Sequence, residues 1–145
     1  MIREAVEADV PELVAMIHEL AEFENLSDQV VINEDDLREA LFGPAAVVSD
    51  TVVDLGDGVL AGHALWFRTF STFLGRTGIW LEDLYVRPQH RGQGFGASLL
   101  MHLRGRTAGR LEWEVLEWNA PAIDFYERLG ARPMAGWTHY RWYEG

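Results

Sequence analysis

A short glycine-rich segment, Arg91-Gly92-Gln93-Gly94-Phe95-Gly96, carries residue types suited to binding a phosphate-bearing ligand. It joins an apolar, strand-like run at 78–86 to a helical pattern. Glycine lets the backbone approach a ligand closely and adopt angles that a Cβ forbids. The start of the helix adds unpaired N–H groups and the positive end of the helix dipole. Strand, glycine turn and helix start together predict a phosphate site.

The spacing of these glycines identifies the type of loop. A P-loop is excluded because GxxxxGK[ST] is absent, and the glycines do not read G-x-G-x-x-G as in a Rossmann fingerprint. The pattern Arg91-x-x-Gly94-x-Gly96 resembles the R/Q-x-x-G-x-G/A signature of the GCN5-related N-acetyltransferases (GNAT), whose loop holds the pyrophosphate of acetyl-CoA. A helix cap or a turn with surplus glycines is the alternative interpretation.

Three further blocks extend this resemblance over nearly the whole chain. They read Phe23-Glu24 with Gln29-Val30, Leu81-Glu82-Asp83-Leu84-Tyr85-Val86, and Glu117-Trp118-Asn119-x-Pro121-x-Ile123-x-Phe125-Tyr126-x-Arg128-x-Gly130-Ala131. They are similar to the diamine acetyltransferases of the spermidine/spermine and thialysine type. The resemblance implies an enzyme that moves an acetyl group from acetyl-CoA to a primary amine of a diamine, polyamine or lysine-like cation, by direct attack on the thioester.

Two other functions stay open at this point. The acceptor could instead be an amino acid, an antibiotic amine or a protein N-terminus. The chain could also be a non-catalytic acyl-CoA-binding module, although the intact tyrosine and acid pair described below argue against it.

The resemblance also assigns residues to acetyl-CoA. Backbone groups of the strand are expected to hold the pantetheine arm, the glycine loop the phosphates, and no metal is expected. The residues expected to contact acetyl-CoA are Leu84, Tyr85, Val86, Arg91, Gly92, Gln93, Gly94, Phe95, Gly96, Ser98, Asn119 and Tyr126. For Asn119 the alternative is an N-cap of the following helix, and both roles are compatible.

Acetyl transfer to an amine also needs a base, an acid and a holder for the acceptor. Tyr126 matches the family tyrosine that protonates the departing sulfur, with core packing as the alternative. Glu82 is the expected base, acting through water. Glu82 and Asp83 are both expected to bind the acceptor, but neighbours on a strand point to opposite faces unless a bulge intervenes. For both acids, and for Asp83 more than for Glu82, the alternative is a salt bridge to an arginine of the following helix. Glu24 would bind the distal ammonium group, or be simply exposed.

Composition limits the number of domains, the partners and the location that can be expected for the chain. The chain has 145 residues, 48% of them hydrophobic, and no cysteine, so one domain spanning 1–145 without disulfides is expected. A net charge of −11 argues against nucleic acid as a partner. No apolar run reaches the ~20 residues of a membrane helix, and the N-terminus does not resemble a signal peptide, so we expect a cytoplasmic protein without membrane contacts.

Charge is distributed unevenly along the chain. Residues 1–39 hold twelve acids against two arginines, which can steer a cationic substrate or simply keep a face soluble. All twelve basic residues are arginines. Five of them cluster where an anionic ligand would lie: Arg87, Arg91, Arg104, Arg106 and Arg110. The histidines His63, His90 and His102 are too scattered to predict a metal site.

The elements that must position these residues follow from periodicity and from turn residues. Strands are predicted at 2–5, 46–55, 59–69, 78–86, 111–118 and 137–143, and helices at about 9–23, 33–42, 95–105 and 122–129. The order predicts an α/β GNAT fold with a mixed sheet of about six to seven strands and about four helices. The resemblance implies a homodimer, for which the aromatic C-terminus (Trp137, Tyr140, Trp142, Tyr143) is an interface or sheet core.

Overall fold

A computed structural model describes residues 1–143 as five strands and four α-helices. The strands are β1 (Ile2–Glu4), β2 (Ser49–Asp54), β3 (Leu60–Ser71), β4 (Arg76–Val86) and β5 (Leu111–Glu112). The helices are α1 (Val10–Phe23), α2 (Glu34–Phe42), α3 (Phe95–Arg104) and α4 (Ala120–Arg128). The chain divides into two compact units, Met1–Glu114 with the sheet and α1–α3, and Val115–Gly145 with α4. The single domain over 1–145 stays a prediction.

One mixed sheet forms the framework of the first unit. Its strand order is β1-β2-β3-β4-β5, with antiparallel pairing up to β4 and parallel pairing between β4 and β5. This arrangement confirms the predicted α/β class. The number of strands is five rather than six to seven.

The helices begin and end where the sequence indicates. Pro11 lies in the first turn of α1, where its missing N–H costs nothing. Asn33 caps α2: its Oδ1 accepts a hydrogen bond from the Asp36 N–H at 2.8 Å, and the Asp36 carboxylate accepts one from the Asn33 N–H at 3.3 Å. Loss of such a cap typically costs about 1 kcal/mol.

An apolar core lies between the first two helices and one face of the sheet. Its fully buried members include Val10, Leu13 and Met16 of α1 and Val52 of β2. Side chains of β3 and β4 complete it, among them Tyr85. This packing fixes α1 against the strand that carries Glu82 and Asp83.

The predicted strand at 111–118 is wrong beyond its first two residues. Pairing with β4 stops after Trp80 opposite Glu112. Leu65 pairs with Asp83 but Trp66 pairs with Leu81, so Glu82 is an extra residue in β4. A bulge of this kind bends a strand and interrupts its ladder, which explains why β5 cannot continue along β4.

The predicted strand at 137–143 is also wrong. A strand exists only where a neighbouring strand pairs with it. None of the backbone described by the structure pairs with 137–143, and the side chains of Trp137 and Trp142 are 80% and 98% exposed. The alternation of aromatic residues predicted a strand, but the described chain supplies no partner for it.

Candidate active site

The glycine loop has the backbone shape of a phosphate cradle. Gly92 and Gly94 have φ of 80° and 82°, a region that residues with a Cβ rarely adopt. A Cβ built on either residue would enter open space, with no atom of the protein within 4 Å. These two glycines thus allow the loop to adopt its conformation, and they leave space for a ligand beside the backbone.

The start of α3 adds hydrogen-bond donors to this loop. Gly94 is the N-cap, and among the described residues no side chain caps the helix. The Ser98 N–H already bonds to the Gly94 carbonyl at 3.0 Å, and the N–H groups before it face outward from the first turn. Residues 91–94 and Ser98 are exposed, while Phe95 and Gly96 are half-buried. This geometry fits a diphosphate.

Strand β4 offers an open edge next to the loop. Leu84, Tyr85 and Val86 pair with β3 on one side. On the β5 side, no described residue pairs with β4 beyond Trp80. Backbone groups on that edge are therefore available to a peptide-like ligand such as a pantetheine arm.

The bulge gives the two adjacent acids of β4 different surroundings. Glu82 is exposed, and its Oε1 accepts a hydrogen bond from Trp80 Nε1 at 3.0 Å. Asp83 is half-buried, opposite Leu65 on the face of the sheet that packs against α1. Burial raises the pKa of Asp83, the charges of Glu82 and Asp50 add to this effect, and His63 opposes it. Within 1–143 no ion pair joins Asp83 to an arginine.

The negative charge of Asp83 acts on Glu24 in the folded chain. Glu24 is the C-cap of α1 and is half-buried. Burial raises the pKa of Glu24, and the negative charge of Asp83 raises it further. A carboxylate whose ionisation is disfavoured in this way is stabilised when a cation binds beside it.

Arginines organise this region, but not as the sequence suggested. Arg87 turns toward α1, where Nη1 lies 2.6 Å from Glu12 and Nη2 lies 3.1 Å from Glu19. Arg106 pairs with Glu4. These two guanidinium groups are therefore committed to carboxylates of the protein rather than free for an anionic ligand.

Arg91 links the glycine loop to the neighbouring elements. Its Nε donates to the Val86 carbonyl at 2.9 Å. Its guanidinium carbon lies 5.6 Å from the ring centroids of both Phe23 and Tyr85, within cation–π range. Arg91 thereby holds the loop against β4 and against the end of α1, next to Glu24.

The second unit holds the other two predicted residues. Asn119 is 9% exposed, and its Oδ1 accepts a hydrogen bond from the Ala122 N–H at 3.3 Å, so the predicted N-cap is present. Tyr126 lies half-buried on α4, with its ring centroid 5.5 Å from that of Phe125. The assignment of either residue to acetyl-CoA stays a prediction.

Residues 1–143 show no sign of a metal site or of a membrane-spanning helix. In that part of the chain no cluster of three or more histidine, cysteine, aspartate or glutamate side chains is arranged to hold a metal ion. None of its helices is both long and apolar enough to cross a membrane.

Sequence reasoning missed one polar pair inside the sheet. His63 of β3 and Asp50 of β2 are 0% and 2% exposed, and Nδ1 of His63 lies 2.8 Å from Oδ2 of Asp50. Neither residue was a candidate. The available signal was a single polar residue at an inward position of each apolar strand, where burial requires a partner.

The substitution Asp83→Asn is expected to raise the free energy of unfolding by about 1 kcal/mol near pH 8. Burial raises the pKa of Asp83, so the folded protein binds this proton more tightly than the unfolded chain does. Stability supplied by the protonated group is present below the unfolded pKa of ~3.9 and is lost as pH rises through the folded value. Urea denaturation of both proteins from pH 5 to 8 measures the difference, which should shrink toward pH 5.

Glu82→Gln is the matched control, because Glu82 is the exposed neighbour of Asp83. Its free energy of unfolding should stay within about 0.5 kcal/mol of wild type. An Asp83→Asn protein less stable than wild type at pH 8 would contradict the prediction. It would show that neighbouring groups stabilise the ionised carboxylate of Asp83 in the folded protein.

Comparison with known proteins agrees with this geometry. The sequence profile described as the acetyltransferase (GNAT) family matches residues 14–131. The chain is 38% identical to thialysine N-epsilon-acetyltransferase of Sus scrofa over 159 residues, covering 100% of this chain and 92% of that protein. It is 30% identical to L-ornithine N5-acetyltransferase NATA1 of Arabidopsis thaliana over 184 residues, covering 94% and 81%.

A solved structure shares the whole fold. The integron cassette protein VCH_CASS6 from the mobile metagenome of V. cholerae superposes with a TM-score of 0.81 at 25% identity, covering 100% of this chain and 92% of that one. The family match covers most of the chain, and the relatives align over nearly its full length. The chain therefore belongs to the GNAT family of acetyltransferases and is an acetyltransferase.

Proposed function

We propose that this enzyme transfers the acetyl group of acetyl-CoA to a primary amine of a small cation, such as a diamine, a polyamine or a lysine-like amine. The observation that carries the proposal is the pair of half-buried carboxylates Glu24 and Asp83: burial raises the pKa of both, and the charge of Asp83 raises that of Glu24 further. Such a pair favours a ligand with an ammonium group. The thialysine and ornithine acetyltransferases to which the chain is similar are named for cationic amines.

Acetyl-CoA is the proposed donor. It supplies the acetyl group as a thioester. The glycine loop from Arg91 to Gly96 would bind its phosphates through backbone N–H groups, with Ser98 nearby in the first turn of α3. Leu84, Tyr85 and Val86 would bind the pantetheine arm through the open edge of β4, and Asn119 would add an amide. The positive φ of Gly92 and Gly94 and the uncapped start of α3 support this assignment.

The chain's own residues would move the protons. As the amine nitrogen attacks the thioester carbon, Glu82 would accept a proton from the amine through water, a role that its exposure supports. Tyr126 would donate its hydroxyl proton to the sulfur as the carbon–sulfur bond breaks. Backbone N–H groups of β4 near the bulge would stabilise negative charge that develops on the carbonyl oxygen. Glu24 and Asp83 would hold the second cationic group of the acceptor.

The proposal is tested by measuring the release of free thiol from acetyl-CoA with each of several amines as acceptor. The amines are putrescine, spermidine, spermine, thialysine, lysine and a monoamine whose chain carries no second charge. Saturable turnover with the multiply charged amines, and weaker turnover with the monoamine, is the expected outcome. Flat traces for every amine, with acetyl-CoA binding verified by calorimetry, would exclude a small cationic acceptor. That outcome would favour a protein acceptor or a binding role.

We also propose a homodimer in the cytoplasm. Aromatic side chains exposed near the C-terminus support an interface: Trp137, Tyr140, Trp142 and Tyr143. The absence of cysteine fits a reducing compartment. Light scattering coupled to size exclusion should give twice the 16.5 kDa mass of the chain, and a monomer at micromolar concentration would contradict the dimer.

A further inference from the structure

The buried pair of His63 and Asp50 contains an unsatisfied polar atom. Nδ1 of His63 lies within 3.0 Å of both carboxylate oxygens of Asp50, so this nitrogen is hydrogen-bonded to the carboxyl group. Nε2 is buried and has no hydrogen-bond partner among the described residues. Most buried polar atoms in proteins are hydrogen-bonded, so an exception of this kind calls for an explanation.

The register of the sheet places this pair beside the proposed acceptor site. Asp50, Leu65 and Asp83 pair directly across three neighbouring strands. His63 lies two residues from Leu65 on the same face, so it is the diagonal neighbour of both aspartates. Asp83 in turn acts on Glu24. A continuous row of titratable groups therefore runs from the buried pair to the end of α1.

The other charged groups around His63 are already engaged. Tyr85, opposite His63 on β4, donates to Glu19, and Arg87 pairs with Glu12 and Glu19. On the far side, Glu4 and Asp9 act on Asp50, but each is paired with an arginine, Arg106 and Arg3. His63, whose own partner is Asp50, is thus the basic group in this row that can place a positive charge next to Asp83.

The environment favours the charged form of His63. Burial is the largest single influence and lowers the pKa of His63, and Arg87 lowers it slightly, but the charge and hydrogen bond of Asp50 together with the charge of Asp83 raise it above the ordinary value. When the His63 ring is protonated, its positive charge attracts the Asp83 carboxylate, and a neutral ring exerts no such attraction.

We propose that His63, held by Asp50, is a positioning residue for the acceptor, because its imidazolium keeps Asp83 in the ionised form that binds the ammonium group. The inference rests on the proposed function, since it assigns Asp83 to a cationic acceptor. The affinity for the acceptor then depends on the charge of His63, although His63 does not touch the acceptor. Binding of acetyl-CoA should not depend on it.

Calorimetric titration of 1,4-diaminobutane between pH 5 and 8.5 tests this role. The amine stays doubly charged over this range because its groups titrate near ~10, so changes in Kd report groups of the protein. In wild type the affinity should fall as pH drops and the carboxylates take up protons. In His63→Gln the midpoint of that fall should move to higher pH by about one unit, with the KM for acetyl-CoA unchanged.

Val52→Ala is the matched control. Val52 is fully buried and pairs with His63 across β2 and β3, so the substitution loosens the same core without changing charge. It should lower stability and leave the pH midpoint in place. Coincident midpoints in wild type and His63→Gln, or an equal shift in Val52→Ala, would overturn the inference.

A measurement on the wild-type protein covers the case in which His63→Gln does not fold. NMR of labelled histidine follows the titration of the His63 ring with and without saturating 1,4-diaminobutane. Linkage is reciprocal, so if the His63 imidazolium strengthens amine binding, the bound amine must in turn raise the pKa of His63. An unchanged titration with the amine bound would contradict the role of His63 alone. Absence of both amine binding and turnover would instead remove the proposed function, and this inference with it.

Discussion

Tyr126→Phe is expected to lower kcat by about 10²–10³-fold, the usual contribution of a positioned general acid. The substitution removes only the hydroxyl group, so the half-buried ring of α4 keeps its packing against Phe125. The thiolate that leaves acetyl-CoA would then have to take its proton from water. The KM for acetyl-CoA and the free energy of unfolding should change little, and steady-state kinetics with thermal denaturation measure all three quantities.

Tyr140→Phe is the matched control for this loss. Tyr140 belongs to the same unit and is 89% exposed, so it loses the same atom at a position with no proposed role in the chemistry. Its kcat should equal that of wild type. A Tyr126→Phe enzyme with wild-type kcat would remove the assigned acid and require another proton source.

Gly94→Val is expected to raise the KM for acetyl-CoA by about 10- to 100-fold, or roughly 1.4–2.8 kcal/mol of binding free energy. A Cβ at this residue points into space that the protein leaves open, beside the uncapped start of α3. A branched side chain there would occupy the proposed position of the phosphates. The positive φ of 82° adds backbone strain of about 1–2 kcal/mol, which lowers stability as well.

Gly58→Val separates these two effects. Gly58 has a φ of 76° and equally open surroundings, but it lies in the turn between β2 and β3. It should lose a similar amount of stability and keep the wild-type KM. If both variants weaken acetyl-CoA binding equally, strain rather than obstruction is responsible, and the loop assignment loses its support.

Local patterns explain the parts of the fold that could be predicted. Asn33, followed by three acidic residues, predicted the start of α2. Gly56-Asp57-Gly58 predicted the turn between β2 and β3. The glycine loop and α3 followed from residues that are adjacent in the chain. Each of these features depends on backbone conformation and hydrogen bonds within a few residues, which the sequence displays directly.

Features that depend on pairing between distant residues could not be predicted in the same way. The bulge at Glu82 arises from the register of β3 against β4, and it leaves Glu82 exposed while Asp83 is half-buried. It also ends β5 after Glu112, six residues earlier than expected. The sequence predicted Arg87 to lie near an anionic ligand. In the folded chain it forms ion pairs with Glu12 and Glu19 of α1.

The buried pair of Asp50 and His63 shows the same limit in the active-site region. The two residues lie thirteen positions apart, and only the antiparallel register of β2 and β3 makes them neighbours. Spacing along the chain gave no reason to connect them, and the other histidines lie elsewhere. Burial and the unsatisfied Nε2 identify the pair once the sheet is assembled.

The ratio of kcat/KM for 1,4-diaminobutane to that for butylamine tests the central claim most directly, because the two amines share a carbon chain and differ in the second charge. With Glu24 and Asp83 holding that charge, we expect a ratio of about 10² in wild type and a fall of at least tenfold in Glu24→Gln, since a buried charge-assisted contact is worth about 1.5–3 kcal/mol. Equal kcat/KM for the two amines in wild type would contradict the claim that this acetyltransferase selects an acceptor with a second positive charge.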